Sequence, residues 1–125
     1  MAVKRRIDAA SGTSAVRAWR ADPAGAPRPV LAMAVRYLLE ELSEVAEGNS
    51  VEVRVPPFGV TQCIPGPRHT RGTPPNVIEM DAATWLELAT GALSWADAVG
   101  HSRVRASGVR AELDSVLPLR GIAVS

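Results

Sequence analysis

Between Val30 and Glu47, hydrophobic residues recur at spacings of three and four, which is the period of an α-helix. Pro29 precedes this run and suits the first turn of a helix, and Gly48 with Asn49 follows it as a stop signal. The apolar stripe consists of Leu31, Val35, Leu38, Leu42 and Val45. The pattern therefore predicts an amphipathic helix over residues 30–47.

Directly after this helix, the hydrophobic period changes to two. Val51, Val53 and Val55 alternate with charged residues, which predicts a strand with one valine face. The segment PPFG at 56–59 predicts a turn, and VTQCI at 60–64 predicts the returning strand of a hairpin.

The register of this hairpin decides which polar residue lies on the valine face. In one register Val55 lies opposite Val60, and Gln62 becomes the one polar group on the buried side. In the other, shifted by one residue, Thr61 and Cys63 lie there instead. Gln62 is the candidate internal polar group in the first register.

The next predicted elements are separated by glycine and proline. The connection PGPRHTRGTPP at 65–75 leads to an extended run at 76–80. Asp81 is a suitable N-cap for a helix over 82–89, and Gly91 ends that helix.

Ser94 begins a second short helix through a capping-box pattern, and residues 103–107 alternate as a strand. A last helix before Pro118 is predicted by Val109, Leu113, Val116 and Leu117. Together these elements predict an α+β fold of two layers. Its sheet is mostly antiparallel, with about five strands, and the helices pack on one face.

The chain divides into three parts by composition. Residues 1–29 are expected to form a flexible basic arm with a Pro-rich linker, interrupted by a short helical turn at 15–20. Residues 30–119 form the predicted domain, and residues 120–125 form a C-terminal tail.

Composition narrows the function classes. The 125 residues fit one domain, and 14 basic against 13 acidic side chains give a net charge of +1, which argues against a duplex-binding protein. One phenylalanine and one tyrosine are too few for a single-strand stacking platform. No apolar run is long enough for a secretory signal or a membrane span, so a cytoplasmic location is expected.

The sequence contains few candidate catalytic, metal-binding or anion-binding residues. The chain lacks the common nucleophile, phosphate-loop and zinc motifs, and its one cysteine, Cys63, has no positioned base in the sequence. The spacing of His69 and His101 does not suggest a metal site. We therefore expect no catalysis, metal or cofactor. Arg68, His69 and Arg71 in the loop PRHTRG form either an anion site or a structural connection.

The stretch from Asn76 to Leu119 resembles the sterol carrier protein family, most closely its small actinobacterial branch. The matching segments, in order, are NVIEMD, AATWLELATG, ALSWADAVG, HSRVRASG and VRAELDSVLPL. The helix at 30–47 and the hairpin after it agree in order with that fold. The resemblance implies a five-stranded sheet with helices on one face, enclosing an apolar cavity for a lipid-like ligand.

Two functions follow as hypotheses. The first is an intracellular carrier of a fatty acid, acyl-CoA or sterol-like molecule. Its ligand would be bound by Val53, Val55, Gln62, Trp85, Leu88 and Trp95, with Arg68, His69 and Arg71 at the head group. The second is a non-enzymatic interaction module with a filled core, which binds a partner protein or a second copy of itself.

Overall fold

The computed structural model describes residues 6–66 and 76–119. This part of the chain holds four helices and four strands. They are α1 Ala9–Ala21, α2 Arg28–Val45, β1 Val51–Val55, β2 Gly59–Cys63, β3 Asn76–Met80, α3 Ala82–Thr90, α4 Trp95–Gly100 and β4 Val104–Ser107.

The four strands form one mixed sheet in the order β2-β1-β3-β4. β1 pairs with β2 in antiparallel and with β3 in parallel orientation, and β4 is antiparallel to β3. The α+β class is confirmed, although the described sheet has four strands where about five were expected.

The sheet has one covered face and one solvated face. The alternate residues of β1 and β3 that face the helices are buried. On the opposite face, Arg54 pairs with Glu52 and Arg105 approaches Glu79 at 3.9 Å. Charged pairs of this kind are characteristic of a surface that water can reach.

The hairpin adopts the shifted register. Thr61 lies opposite Val53 and Cys63 opposite Val51, whereas Gln62 pairs with Glu52 and is exposed. The expectation that Gln62 lies inside was therefore wrong. The strand begins one residue earlier than expected, at Gly59, where a β-carbon would lie 3.1 Å from Cδ1 of Leu39. The glycine lets β2 approach α2 closely.

α2 confirms the predicted long helix and begins two residues earlier, at Arg28. Val35, Leu38 and Leu42 are fully buried, but Val45 at the last turn is 56% exposed. The apolar stripe thus holds along the helix except at its end. The helix packs over the sheet beside α3, and together they enclose the core.

The caps of the two short helices are as predicted. The Asp81 carboxylate accepts a hydrogen bond from the Thr84 amide at 2.8 Å, and Gly91 ends α3 in the left-handed conformation at φ 88°. Ser94 caps α4 by accepting from the Asp97 amide at 3.1 Å. Each cap satisfies backbone groups that a helix end leaves unpaired.

The predicted turn at 15–20 lies within α1, but the helix is longer than expected: it spans Ala9–Ala21, so the expectation of a flexible arm was wrong for residues 9–14. Val16 and Trp19 are buried in the same core as α2, and Asp8 caps the helix by accepting from the Ser11 amide at 2.8 Å. Its buried positions are partly occupied by the small residues Gly12 and Ala15, so the hydrophobic signal is weak in the sequence.

The predicted last helix is also absent from the described residues. Leu113 and Leu119 are buried, whereas Val109 is fully exposed. The Leu113 carbonyl accepts from the amides at 116 and 117, which closes a single turn. The chain then crosses to α3, where the Leu119 amide donates to the Ala89 carbonyl at 3.0 Å. Tertiary contacts therefore prevail over the local helical spacing.

Candidate functional site

Four residues predicted to line a cavity lie instead in a filled core. Val53, Val55 and Trp85 are fully buried, and Leu88 is 1% exposed. The Trp85 indole N–H donates to the Val35 carbonyl of α2 at 3.3 Å, which fixes the ring between α3 and α2. The valine face of β1 is therefore covered by packed side chains.

Trp95, at the start of α4, is half-buried and packs against this core. Gln62 does not join it, because it lies on the outer face of the sheet. Arg68, His69 and Arg71 lie outside the described residues, so their role as a head-group site stays a prediction.

A large open groove lies between α2 and the edge strand β2. Its volume is about 810 Å³, which falls within the range of small-molecule sites. Its walls come from three separate segments: the residues before α1, one face of α2, and the β1–β2 turn with the start of β2. The lining residues are Arg6, Ile7, Pro29, Ala32, Met33, Arg36, Leu39, Glu40, Ser43, Phe58, Gly59, Val60 and Thr61.

Phe58 in the β1–β2 turn is fixed against α2 by two arginines. The Arg36 Nε donates to the Phe58 carbonyl at 2.7 Å, and the Arg28 guanidinium lies 5.2 Å from the centre of the ring. The second contact has the geometry of a cation–π interaction. These contacts hold the turn in place as one end of the groove.

Glu40 fixes the segment before α1, which forms one wall of the groove. Its carboxylate accepts hydrogen bonds from the backbone amides of Arg6 and Ile7, each at 3.2 Å. Hydrogen bonds to a charged acceptor are stronger than neutral ones. The segment before α1 is thereby fastened across α2, with Ile7 contributing an apolar side to the groove.

The groove lining combines apolar side chains with charged and hydroxyl groups, and its charges give a small positive excess. Two arginines and one glutamate line it, and the glutamate faces backbone amides. Ser43 donates its hydroxyl to the Leu39 carbonyl at 3.2 Å, so this polar group is satisfied within its own helix.

The described residues offer little for catalysis. No group of three or more His, Cys, Asp or Glu side chains is arranged among them to hold a metal ion. Burial raises the pKa of the Cys63 thiol to about 12, so this cysteine is a poor nucleophile at neutral pH.

A family model described as the bacterial SCP ortholog matches residues 27–119, well over half of the chain. This protein belongs to the sterol carrier protein family. Members of this family are small carrier-type domains and are in general non-catalytic. The match includes α2, the whole described sheet, α3 and α4, whereas α1 lies outside it.

No curated protein matches the chain. Within the part that the structure describes, no helix has both the length and the apolar character needed to span a bilayer.

The groove residues were missed at the level of sequence. Met33, Arg36 and Leu39 belong to the predicted helix but were assigned no role in binding a ligand. No local signal marks them, because the groove depends on how far β2 extends past α2 and on where the segment before α1 crosses. Both are properties of the folded chain.

Proposed function

We propose that this protein carries a hydrophobic small molecule in the groove between α2 and β2. The observation that supports this proposal is the open, mostly apolar groove of about 810 Å³ in a member of a carrier family. The filled core argues for the groove over the interior, because Val53, Val55 and Trp85 leave no accessible surface there. The cargo class is a fatty acid, an acyl-CoA or a sterol-like molecule.

The test is a binding titration with a blocking variant. Ala32→Trp would fill the groove from the α2 side, since Ala32 is one of its lining residues. Val99→Trp is the matched control, because Val99 lies on α4 and is 51% exposed. Wild type and Val99→Trp should bind fatty acids, acyl-CoA or sterols with saturation, and Ala32→Trp should lose that binding. No saturable binding by wild type to any of them would reject the carrier function.

The filled core also favours the second function, an interaction module without a small ligand. Native mass spectrometry after gentle purification separates the two. A retained apolar adduct of a few hundred daltons supports the carrier. A bare dimer or a complex with another chain, without such an adduct, supports the module.

A further inference from the structure

Arg36 is the one arginine of α2 that lines the groove, and its orientation is set by a single contact. Its Nε donates to the Phe58 carbonyl at 2.7 Å. Within residues 6–66 and 76–119, that is the one hydrogen bond or ion pair of its guanidinium. The two terminal nitrogens therefore have no protein acceptor in this part of the chain.

A guanidinium that is held only through its Nε keeps the edge formed by its two terminal nitrogens available to a ligand. With Nε engaged, the paired terminal nitrogens still present two parallel N–H groups. That fork matches the two oxygens of a planar carboxylate. Arg36 is exposed, so this edge is open to a ligand, and the Phe58 carbonyl that holds its Nε belongs to a residue whose ring also contacts Arg28.

Apolar side chains lie on both sides of this arginine on α2, about one helical turn away in each direction. Met33, three residues before Arg36, is half-buried, whereas Leu39, three residues after it, is buried at 3% exposure beneath the groove. A ligand with its head at Arg36 can thus lay a single hydrocarbon chain along α2.

The net charge of the groove lining is suited to an anion that carries about one negative charge. Arg6 and Arg36 carry two positive charges, and Glu40 carries one negative charge that is turned toward backbone amides. The excess of one matches a carboxylate, whereas a phosphate monoester carries about −1.5 to −2 at neutral pH.

We propose that the cargo is a single-chain amphiphile with a carboxylate head, and that Arg36 is the residue that binds this head. The inference rests on the proposed carrier function, and it selects the acidic members of the cargo class over neutral ones.

The experiment compares three probes with the same chain: dodecanoate, 1-dodecanol and dodecyl phosphate. Each is titrated against wild type, Arg36→Gln, Arg36→Lys and the surface control Arg17→Gln. Arg17 is an exposed residue of α1 that does not line the groove. Urea unfolding of every variant confirms that it is folded before binding is compared.

Wild type and Arg17→Gln should bind dodecanoate about 10- to 100-fold more tightly than dodecanol, as expected for a charge-assisted pair. Arg36→Gln should remove that preference and leave dodecanol binding unchanged. Arg36→Lys should keep part of it, because the charge remains but the fork is lost. Dodecanoate binding should weaken as salt is raised, and dodecanol binding should not.

Other outcomes separate this inference from the function on which it rests. Equal binding of dodecanoate and dodecanol by wild type would overturn the carboxylate head while leaving the carrier function in place. Tighter binding of dodecyl phosphate would assign a phosphate head instead. If Arg36→Gln lost dodecanoate and dodecanol binding equally, Arg36 would only shape the wall of the groove and would not bind the carboxylate head. If wild type bound none of the three probes, the carrier function would be rejected for ligands with this hydrocarbon chain.

Discussion

The ring of Tyr37 in α2 lies directly against the α-carbon of Gly12 in α1. A β-carbon on Gly12 would lie 2.6 Å from Cε1 of Tyr37 and closer still to Cγ and Cδ1. Tyr37 is 5% exposed, so its ring has little room to move. This contact sets the distance between the two helices, and it joins α1, which lies outside the family match, to the family domain.

Gly12→Ala is therefore expected to destabilise the protein by about 1–3 kcal/mol through overpacking. In an unpacked helix the same change would stabilise by about 1 kcal/mol, so the sign of the effect is diagnostic. Urea unfolding monitored by far-UV circular dichroism measures it. Ser14→Ala, at an exposed position of the same helix, is the control and should change stability by less than about 0.5 kcal/mol. A more stable Gly12→Ala protein would mean that α1 does not pack on Tyr37.

Trp85→Ala should cost about 3–5 kcal/mol, because a fully buried aromatic ring is removed and a cavity remains. Trp85→Phe should cost less, since most of the volume stays and mainly the hydrogen bond to the Val35 carbonyl is lost. Equilibrium unfolding in urea gives both values. A loss below about 1 kcal/mol for Trp85→Ala would contradict the placement of α3.

The sequence predicted those elements whose signals are local. The spacing of Val35, Leu38 and Leu42 indicated α2, and side chains such as Asp81 and Ser94 marked helix starts, because capping depends on residues only three positions apart. The inward position of Trp85 followed from the same periodicity.

What the sequence did not predict depends on contacts between distant segments. The alternation of β2 was compatible with two hairpin registers, and the close approach of Gly59 to Leu39 in the observed one involves a residue of another element. The C-terminal leucines satisfied a helical spacing, yet Leu119 hydrogen-bonds α3 instead. The groove is built from three segments that only the tertiary fold brings together. The sequence around residues such as Arg36 therefore contains no local signal of a binding site.

Asn76 is a second buried residue with a testable structural role. At 3% exposure, its side-chain amide donates to the Ser50 carbonyl at 2.8 Å and its oxygen accepts from the Arg110 amide at 2.9 Å. It thus joins the loop before β1 to the segment after β4. Asn76→Leu should cost about 2–4 kcal/mol, because the buried Ser50 carbonyl and the Arg110 amide, whose hydrogen bond is partly buried, both lose their partner.

Hydrogen exchange provides the second measurement for Asn76→Leu. The Arg110 amide should exchange faster in this variant, whereas the Leu39 amide in the middle of α2 should keep protection in proportion to global stability. Ser115→Leu, at an exposed position in the segment after β4, serves as the control. An Asn76→Leu protein as stable as wild type would show that this link contributes nothing.

Cys63 should resist alkylation in the native state. It is fully buried, and burial raises the pKa of its thiol from 9.0 to about 12, so almost none is thiolate at pH 8. Iodoacetamide labelling followed by mass spectrometry should be at least about 100-fold slower in buffer than in 6 M urea (roughly the denaturant range that unfolds small domains). In Cys63→Ala/Ser107→Cys, the exposed end of β4 carries the thiol and should react rapidly under both conditions. Rapid native labelling of Cys63 would contradict its place on the inner face of β2.

Asp81 should make the stability of α3 depend on pH. Burial raises the pKa of its carboxyl, but the hydrogen bonds from Thr84 and the charge of Arg103 outweigh this effect, so the net pKa lies below the ordinary 3.8. A folded-state pKa below the unfolded one stabilises the protein above the unfolded value. That contribution disappears as the pH falls through the folded pKa.

Asp81→Ala should therefore lower the free energy of unfolding by about 1 kcal/mol at pH 7, the usual cost of losing an N-cap. This difference in the free energy of unfolding between Asp81→Ala and wild type should shrink below pH 4. Protonation of the Asp81 carboxylate in wild type then removes the negative charge at the start of α3. Asp81→Ser keeps a capping oxygen without a titratable group, so it should lose less at pH 7 and be more stable than Asp81→Ala at every pH. Urea unfolding at pH 7, 5, 4 and 3 tests this order. A deficit of Asp81→Ala that grows as the pH falls would mean that the carboxyl caps α3 in its protonated form, against the hydrogen bond from the Thr84 amide to its ionised oxygen.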